Sequence, residues 1–315
     1  MSSEATIQNY MAINTSDTVP CPICKSISQW ASAATGWGEW RRCGECTLEF
    51  VHPLRLGDDP MALFERAYQG QVQVSSMTEY WRRVDQRRTI ISELNDPTLW
   101  FWTPAFYEVL NWVKSRAKSG GTVLELGCGL GFFLHALRKE GLQAVGLDVA
   151  QTAVELNRKD GFAVWHGPLE SMPSDWVAPD AIASMFMLHH LEDPAAFLRL
   201  IRARWPSTPL AIAMYGPTDR TFASATPPRT LTKWNERALG TALRKAGYAL
   251  TVQALSPTRF EGHFVEAVRS VLGRTMRLPQ LYRLGKRIER IIVEKIPGSV
   301  RRDTRILVAF AEPSN

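Results

Sequence analysis

Between Val123 and Leu255 the chain alternates short apolar runs with stretches whose apolar residues recur at helical spacing. The runs cover residues 123–126, 144–147, 163–165, 180–186 and 209–215. Each is brief and bounded by Gly, Pro or Asp, so each reads as a buried strand. Residues 132–141 and 152–160 read as connecting helices, the second stopped by Gly161, and a further helix ends at Gly247. Strand and helix in alternation predict an α/β fold with a parallel sheet. Residues 248–255 and 306–311 read as two last strands, an antiparallel pair at the sheet edge. Between them Phe264, Val268, Val271 and Leu272 share one helical face. Leu281, Leu284, Ile288, Ile291 and Ile292 share another, with Arg283, Lys286, Arg287 and Arg290 mostly opposite.

Ahead of the alternation, residues 54–119 read as mostly helical, with Pro53 and Pro60 punctuating the entry and Asp58 or Asp59 as a cap. Tyr68, Tyr80 and Trp81 are candidates for a lid or for packing between helices. The run Trp100-Phe101-Trp102 with Phe106-Tyr107 is either core packing or a wall of an acceptor pocket that includes Trp102. Arg82-Arg83 and Arg87-Arg88 read as a solvated face. The organisation expected is a flexible leader at 1–18, a four-cysteine ribbon at 19–53, a helical lid or linker at 54–119, and a main domain at 120–315 with a basic helical insert at 259–303.

Composition narrows this picture. A chain of 315 residues, 45% hydrophobic, holds one large core with an appendage or two modest domains. No apolar run has the length of a membrane span. Residues 1–20 lack the basic region and apolar core of a secretion signal, and five cysteines without one favour a reducing cytoplasm and metal ligation. Of the formal +6, residues 259–305 carry a local +7, twelve Lys+Arg against five Asp+Glu, so the rest of the chain is near neutral. A uniformly basic nucleic-acid surface is not what the sequence shows. The insert is then a packing face for the domain or for a second subunit in a homodimer, or a peripheral contact with anionic lipid headgroups.

Two knuckles, Cys21-Pro22-Ile23-Cys24 and Cys43-Gly44-Glu45-Cys46, fit a ribbon holding one Zn2+ through four thiolates. Four sulfurs leave no site for water, so the zinc would be structural. Trp30, Trp37 and Trp40 are expected to pack its small core.

In Val123-Leu124-Glu125-Leu126-Gly127-Cys128-Gly129-Leu130-Gly131 a strand enters a turn of alternate glycines and then a helix, a cradle for a nucleotide cofactor. The next strand ends at Asp148, placed to accept both ribose hydroxyls. The segment 125–131, followed by Gly146-Leu147-Asp148-Val149, resembles motifs I and II of class I S-adenosylmethionine-dependent methyltransferases. A Rossmann-like domain for another nucleotide is the alternative. The resemblance implies a doubly wound, mostly parallel seven-stranded sheet. It implies a cofactor site of Glu125, Gly127, Cys128, Gly129, Gly131, Asp148 and Val149, with Glu125 orienting the ammonium. The order of the knuckles, the aromatic strand Phe50-Val51-His52-Pro53 and a helix with Tyr68 is similar to the N-terminal zinc region of bacterial methyltransferases that act mainly on sugars, glycans and specialised metabolites.

Where such enzymes carry an Asp to receive the adenine amino group, this chain has Pro168; Glu170 or a backbone carbonyl would substitute, with Leu169 and Met172 flanking the ring. Met187-Leu188-His189-His190-Leu191-Glu192-Asp193-Pro194 resembles the segment after the fourth strand of small-molecule methyltransferases, including sugar O-methyltransferases with paired histidines. It implies Met187 at the cofactor and His190, or His189, as the base for a hydroxyl acceptor; one His orienting the loop is the plainer role. Tyr215 at a strand tip and Arg229, after Pro227-Pro228, are candidate acceptor contacts, Arg229 for an anionic group. The leading expectation is O-methylation of a small molecule or sugar. An RNA methyltransferase gripping phosphates with ribbon and insert, and a non-catalytic cofactor-binding module, are the alternatives.

Overall fold

The computed structural model describes residues 11–12, 19–31, 36–54, 60–71, 84, 86–94, 103–216, 227, 229–255, 258–259, 302–303 and 306–314. Strands β1 (Met11–Ala12), β2 (Ser28–Ala31), β3 (Glu39–Cys43) and β4 (Glu49–His52) are joined antiparallel in that order. The pairing of Met11 with Ala31 and Ala12 with Trp30 gives the expected leader a strand of its own. Helices α1 (Pro60–Tyr68), α2 (Arg87–Glu93) and α3 (Thr103–Arg116) follow. Trp102 and the flanking aromatic run at 100–101 lie outside the described residues, as do Tyr80 and Trp81.

The central sheet begins with β5 (Thr122–Leu126), α4 (Phe132–Lys139), β6 (Gln143–Asp148), α5 (Gln151–Lys159) and β7 (Ala163–His166). It continues with β8 (Ala181–Met185), α6 (Pro194–Arg204), β9 (Leu210–Tyr215), a two-residue β10 (Thr232–Lys233) and α7 (Glu236–Lys245). It closes with β11 (Tyr248–Leu255), the short pair β12 (Thr258–Arg259) and β13 (Arg302–Asp303), and β14 (Ile306–Pro313). Seven strands lie in the order β11-β14-β9-β8-β5-β6-β7, parallel except for β14, which runs antiparallel to both neighbours. This is the parallel α/β sheet that the alternation predicts, in the doubly wound, Rossmann-like form that the resemblance implies, with the expected antiparallel pair at one edge. Apart from Arg259, Arg302 and Asp303, the basic insert at 259–303 falls outside the described residues.

Alternate residues of each strand feed two cores. Leu124, Leu126, Val145, Leu147, Ile182, Ile212 and Met214 pack with α6, α7 and Cys21, Cys43 and Phe50 of the N-terminal sheet. Val123, Ala144, Val164, Ala183 and Ala211 pack with α2, α3, α4 and α5. Both faces of the sheet are covered, so the buried residues of its inner strands β5 and β8 are apolar apart from Glu125 and Ser184, and all five residues of β8 are buried.

The order reverses between β5 and β8, because β6 and β7 leave β5 on one side and β9 leaves β8 on the other. In open α/β sheets that reversal opens a crevice at the carboxyl ends of the strands. Among the described residues no helix is long and apolar enough to cross a membrane.

Candidate functional site

A cavity of about 450 Å³ occupies that crevice. Its floor is the turn after β5. Gly127, Gly129 and Gly131 all have positive φ, of 72°, 49° and 76°. At Gly127 a Cβ would meet Met187 Cγ at 2.5 Å, so Met187 and the turn fit together only because the glycine has no side chain. Gly127 and Cys128 amides donate to the Leu147 carbonyl at 2.8 and 3.0 Å, which ties the turn to β6. Gly131 is not part of the cavity wall: Asn157 Oδ1 would stand 1.8 Å from a Cβ there. Its glycine serves the packing of Asn157, not ligand approach.

At the tip of β6, Asp148 accepts from the Gly129 amide at 2.7 Å and the Ala150 amide at 2.9 Å. Burial raises its pKa, against the Ala150, Gly129 and Val149 amides, which lower it. Glu125, 2% exposed, also lines the cavity, and its Oε2 has no hydrogen-bond partner among the described residues. Burial first, and then the Asp148 charge, push its carboxyl well above the ordinary range. The Leu134 amide holds the carboxyl, and the unpartnered oxygen, facing a cavity, fits a cationic group of a ligand. Cys128 lines the cavity, but burial holds its thiol protonated. Val149, Leu169, Glu170 and Met187 complete this half of the wall, along with Pro168. Leu169 lies in a short 3-10 turn, Leu169–Ser171, and is 1% exposed.

The other half is aromatic. After β8 the chain passes through Phe186 at φ 57°, a left-handed conformation unusual for a bulky residue, and enters the 3-10 turn Leu188–His190. Ring centroids of Phe186 and Tyr215 are 4.9 Å apart, those of His189 and Tyr215 5.5 Å, those of His189 and His190 3.9 Å, and those of His190 and Phe64 4.9 Å. His190 Nδ1 bonds to the Arg229 carbonyl, which only accepts, so Nδ1 carries the proton and Nε2 the lone pair. Burial lowers the His190 pKa to about 3, against that carbonyl, which raises it. Burial, followed by the neighbouring His190 and Arg229, holds His189 well below the usual value. Both rings are neutral near pH 7. Tyr215 and Arg229 are brought to the same cavity as the two histidines.

Arg87 was expected on a solvated face; it is buried behind the turn instead. Its Nε donates to the Leu130 carbonyl at 2.8 Å, and a terminal nitrogen reaches Asn157 Oδ1 at 3.1 Å and Asp160 at 2.7 Å. Asn157 Nδ2 in turn donates to the Gly129 carbonyl at 2.8 Å. Neither residue carries a local motif; only the tertiary structure shows that they brace the glycine turn.

The four cysteines of the knuckles converge. Cys21 and Cys46 sulfurs are 3.5 Å apart, Cys24 and Cys43 sulfurs 3.4 Å, and all four lie within 4.8 Å of one another. Edges of a tetrahedron with 2.3 Å metal–sulfur bonds are about 3.8 Å, so the set fits a four-thiolate ion. Lys25 (φ 66°) and Thr47 (φ 63°) each follow the second cysteine of a knuckle, so both knuckles end in the same left-handed residue. The Cys46 hydrogen bond lowers the Cys21 pKa to about 5. Of the expected core tryptophans, Trp40 is 2% exposed, but Trp37 is 36% exposed and belongs to the surface.

A sequence profile of the family described as "Methyltransferase domain" matches residues 101–253. Just under half of the chain is thus similar to a methyltransferase domain. That match takes in the glycine turn, Asp148 and the paired histidines. Curated relatives of the methyltransferase domain include the ubiquinone biosynthesis O-methyltransferases of Pseudomonas paraeruginosa, 31% identical over 29% of this chain and 42% of the relative, and Xylella fastidiosa, 34% identical over 28% and 39%. The chain thus spans about two-fifths of the length of the curated relatives it matches. Similar solved structures include the YcgJ protein of Bacillus subtilis, with 11% identity, a TM-score of 0.47, and 67% of this chain and 98% of that one covered. An S-adenosylmethionine-dependent methyltransferase of Archaeoglobus fulgidus shows 17% identity and a TM-score of 0.45, over 66% and 93%.

Proposed function

We propose that the chain is an S-adenosylmethionine-dependent methyltransferase acting on the hydroxyl of a small molecule, with a structural zinc in the four-cysteine cluster. The observation that carries this reading is the pair of buried carboxylates at the tips of β5 and β6. Beyond the Gly129, Ala150 and Val149 amides, Asp148 keeps accepting capacity for the ribose hydroxyls, and the Glu125 Oε2, which lacks a partner, suits the methionine ammonium. Leu169, in the cavity wall beside Pro168 and Glu170, packs on the adenine, whereas Met172, expected on its other side, is buried in the core and does not line the cavity. When bound, the cofactor would supply a methyl group on a sulfonium, with the C–S bond breaking and S-adenosylhomocysteine leaving as the acceptor oxygen bonds to the methyl carbon.

His190 acts on the acceptor. Its Nε2 takes the hydroxyl proton as the oxygen attacks, while the Arg229 carbonyl holds the Nδ1 proton in place. A neutral imidazole at pH 7 is the form that this role needs. The ring wall of Phe64, Phe186, His189 and Tyr215 suits a flat acceptor, and Arg229 suits an anionic substituent on it. The ubiquinone biosynthesis relatives are named for O-methylation, which agrees with hydroxyl acceptors.

Titration calorimetry with S-adenosylhomocysteine tests the site. Wild type binds, and Asp148→Ala loses at least about tenfold, or ~1.4 kcal/mol. Undiminished affinity in Asp148→Ala would overturn the assignment. In a panel of phenolic acids and nucleotide sugars, Arg229→Gln raises KM for anionic acceptors alone.

A further inference from the structure

The N-terminal sheet does not end with its own four strands. Its fifth strand is β10, contributed by the domain that holds the cavity, with Thr232 opposite Phe50 and Lys233 opposite Glu49. Two residues are too few to hold an extended conformation by themselves, and the strand beside β10 is β4. The seam is buried. Thr232 and Lys233 are 2% and 3% exposed, and Lys233 Nζ lies 4.0 Å from the Trp40 ring centroid and 3.9 Å from Glu49.

The seam runs from the cysteines to the histidines. Thr47, next to Cys46, exchanges hydrogen bonds with Asn235 at 2.8 and 3.1 Å, and Asn235 caps α7 by accepting from the Ala238 amide. The Val51 amide donates to the Leu231 carbonyl at 3.2 Å. Leu231 donates to the His189 carbonyl at 2.9 Å. Two residues earlier in the chain, the Arg229 carbonyl takes the proton of His190 Nδ1. From this ladder we infer that the four-cysteine sheet is a positioning element for methyl transfer: β4 holds β10, and β10 holds the carbonyl that fixes the tautomer of His190. The inference rests on reading His190 as the proton acceptor. It assigns the ribbon a place in the active site of its own chain, in addition to whatever stability its metal confers.

Two variants test it. Val51→Pro removes the amide that donates to Leu231. Asn235→Asp keeps the oxygen that caps α7 and deletes the donor to Thr47. The readouts are the nitrogen-15 signals of the His190 ring, which report which nitrogen is protonated, together with S-adenosylhomocysteine affinity and kcat. In wild type the proton sits on Nδ1. In the variants the signals move toward the Nε2-protonated form and kcat falls about tenfold or more, while cofactor-product affinity stays within about twofold. Retention of the Nδ1 proton in both variants overturns the proposal. So does loss of affinity in step with kcat, which marks a scaffold serving the whole fold. If Val51→Pro does not fold, Asn235→Asp decides between the same outcomes. The ring signals need no acceptor, so a wild type that methylates nothing sinks the functional reading and still leaves the positioning ladder tested.

Discussion

Arg87 donates to a carbonyl of the glycine turn, to the side chain that props that turn, and to Asp160, all from a position 7% exposed. Its replacement by Met strands the Leu130 carbonyl and leaves Asp160 with His135 alone among these partners. The expected cost is about 3 kcal/mol, read as a drop in denaturation midpoint, with weaker S-adenosylhomocysteine binding as the turn loosens. Glu125→Gln works in the opposite sense. It removes a carboxyl that burial disfavours, so the ligand-free protein gains stability, while affinity for a ligand ammonium falls. A loss on both counts would show that the bond from the Leu134 amide outweighs the cost of burying the carboxyl. The histidines set a pH dependence. His189 and His190 have folded pKa values below the ordinary 6.5, so the unfolded chain binds more protons below that pH. Their contribution is complete above pH 6.5 and is lost as pH falls below it, by up to about 1.4 kcal/mol per unit for each ring. Denaturant titrations at pH 7 and pH 5 show the decline, and His189→Gln makes it shallower. At this scale the sequence marks Asp148, Glu125 and the histidines, because their places follow from strand ends. Arg87 and Asn157 are hidden, because a charged residue beside another Arg and a polar residue in a helix both look like surface.

Among the elements, α1 forms one side of the cavity through Phe64 and Tyr68 and is held down by Glu65. Its carboxylate accepts from the Thr152 amide at 2.9 Å and the Thr152 hydroxyl at 2.6 Å, in the first turn of α5. A negative group there also meets the positive end of the helix dipole. Glu65→Ala is expected to cost no more than about 1 kcal/mol of stability but to speed cofactor-product release several-fold, as followed by stopped-flow fluorescence. An unchanged release rate would mean that α1 is not the lid. The strands of the main sheet were legible because burial on both faces makes each an apolar run. β10 was not, because two polar residues carry no such pattern and the partner strand lies some 180 positions away in the chain. Its extended shape comes from the neighbour, not from its own residues.

At the scale of the whole molecule, the N-terminal sheet and the main sheet share one core, since Cys21, Cys43, Leu48 and Phe50 pack in the same cluster as Leu239, Trp234 and Ile212. Removal of the metal is therefore expected to be felt across the molecule. Purified protein should contain about one zinc per chain, and a strong chelator should lower the midpoint of the entire unfolding transition without producing a separate early step. The convergence of the four cysteines was readable from knuckle spacing alone, because few arrangements other than a ribbon use that pattern. How tightly the ribbon joins its neighbour depends on contacts between segments far apart in the chain, and spacing says nothing of those.

The paired strands β12 and β13 set Arg259 directly across from Arg302, just beyond the long β11–β14 ladder. Both ends of segment 260–301 are thereby brought together at the width of a hairpin. Excision of that segment and its replacement by Asn-Gly leaves the flanking register compatible with a two-residue turn. Such a deletion strips most of the surplus positive charge from the chain, and a shortened protein with intact cofactor binding would turn the purpose of those forty-two residues into a matter of subtraction.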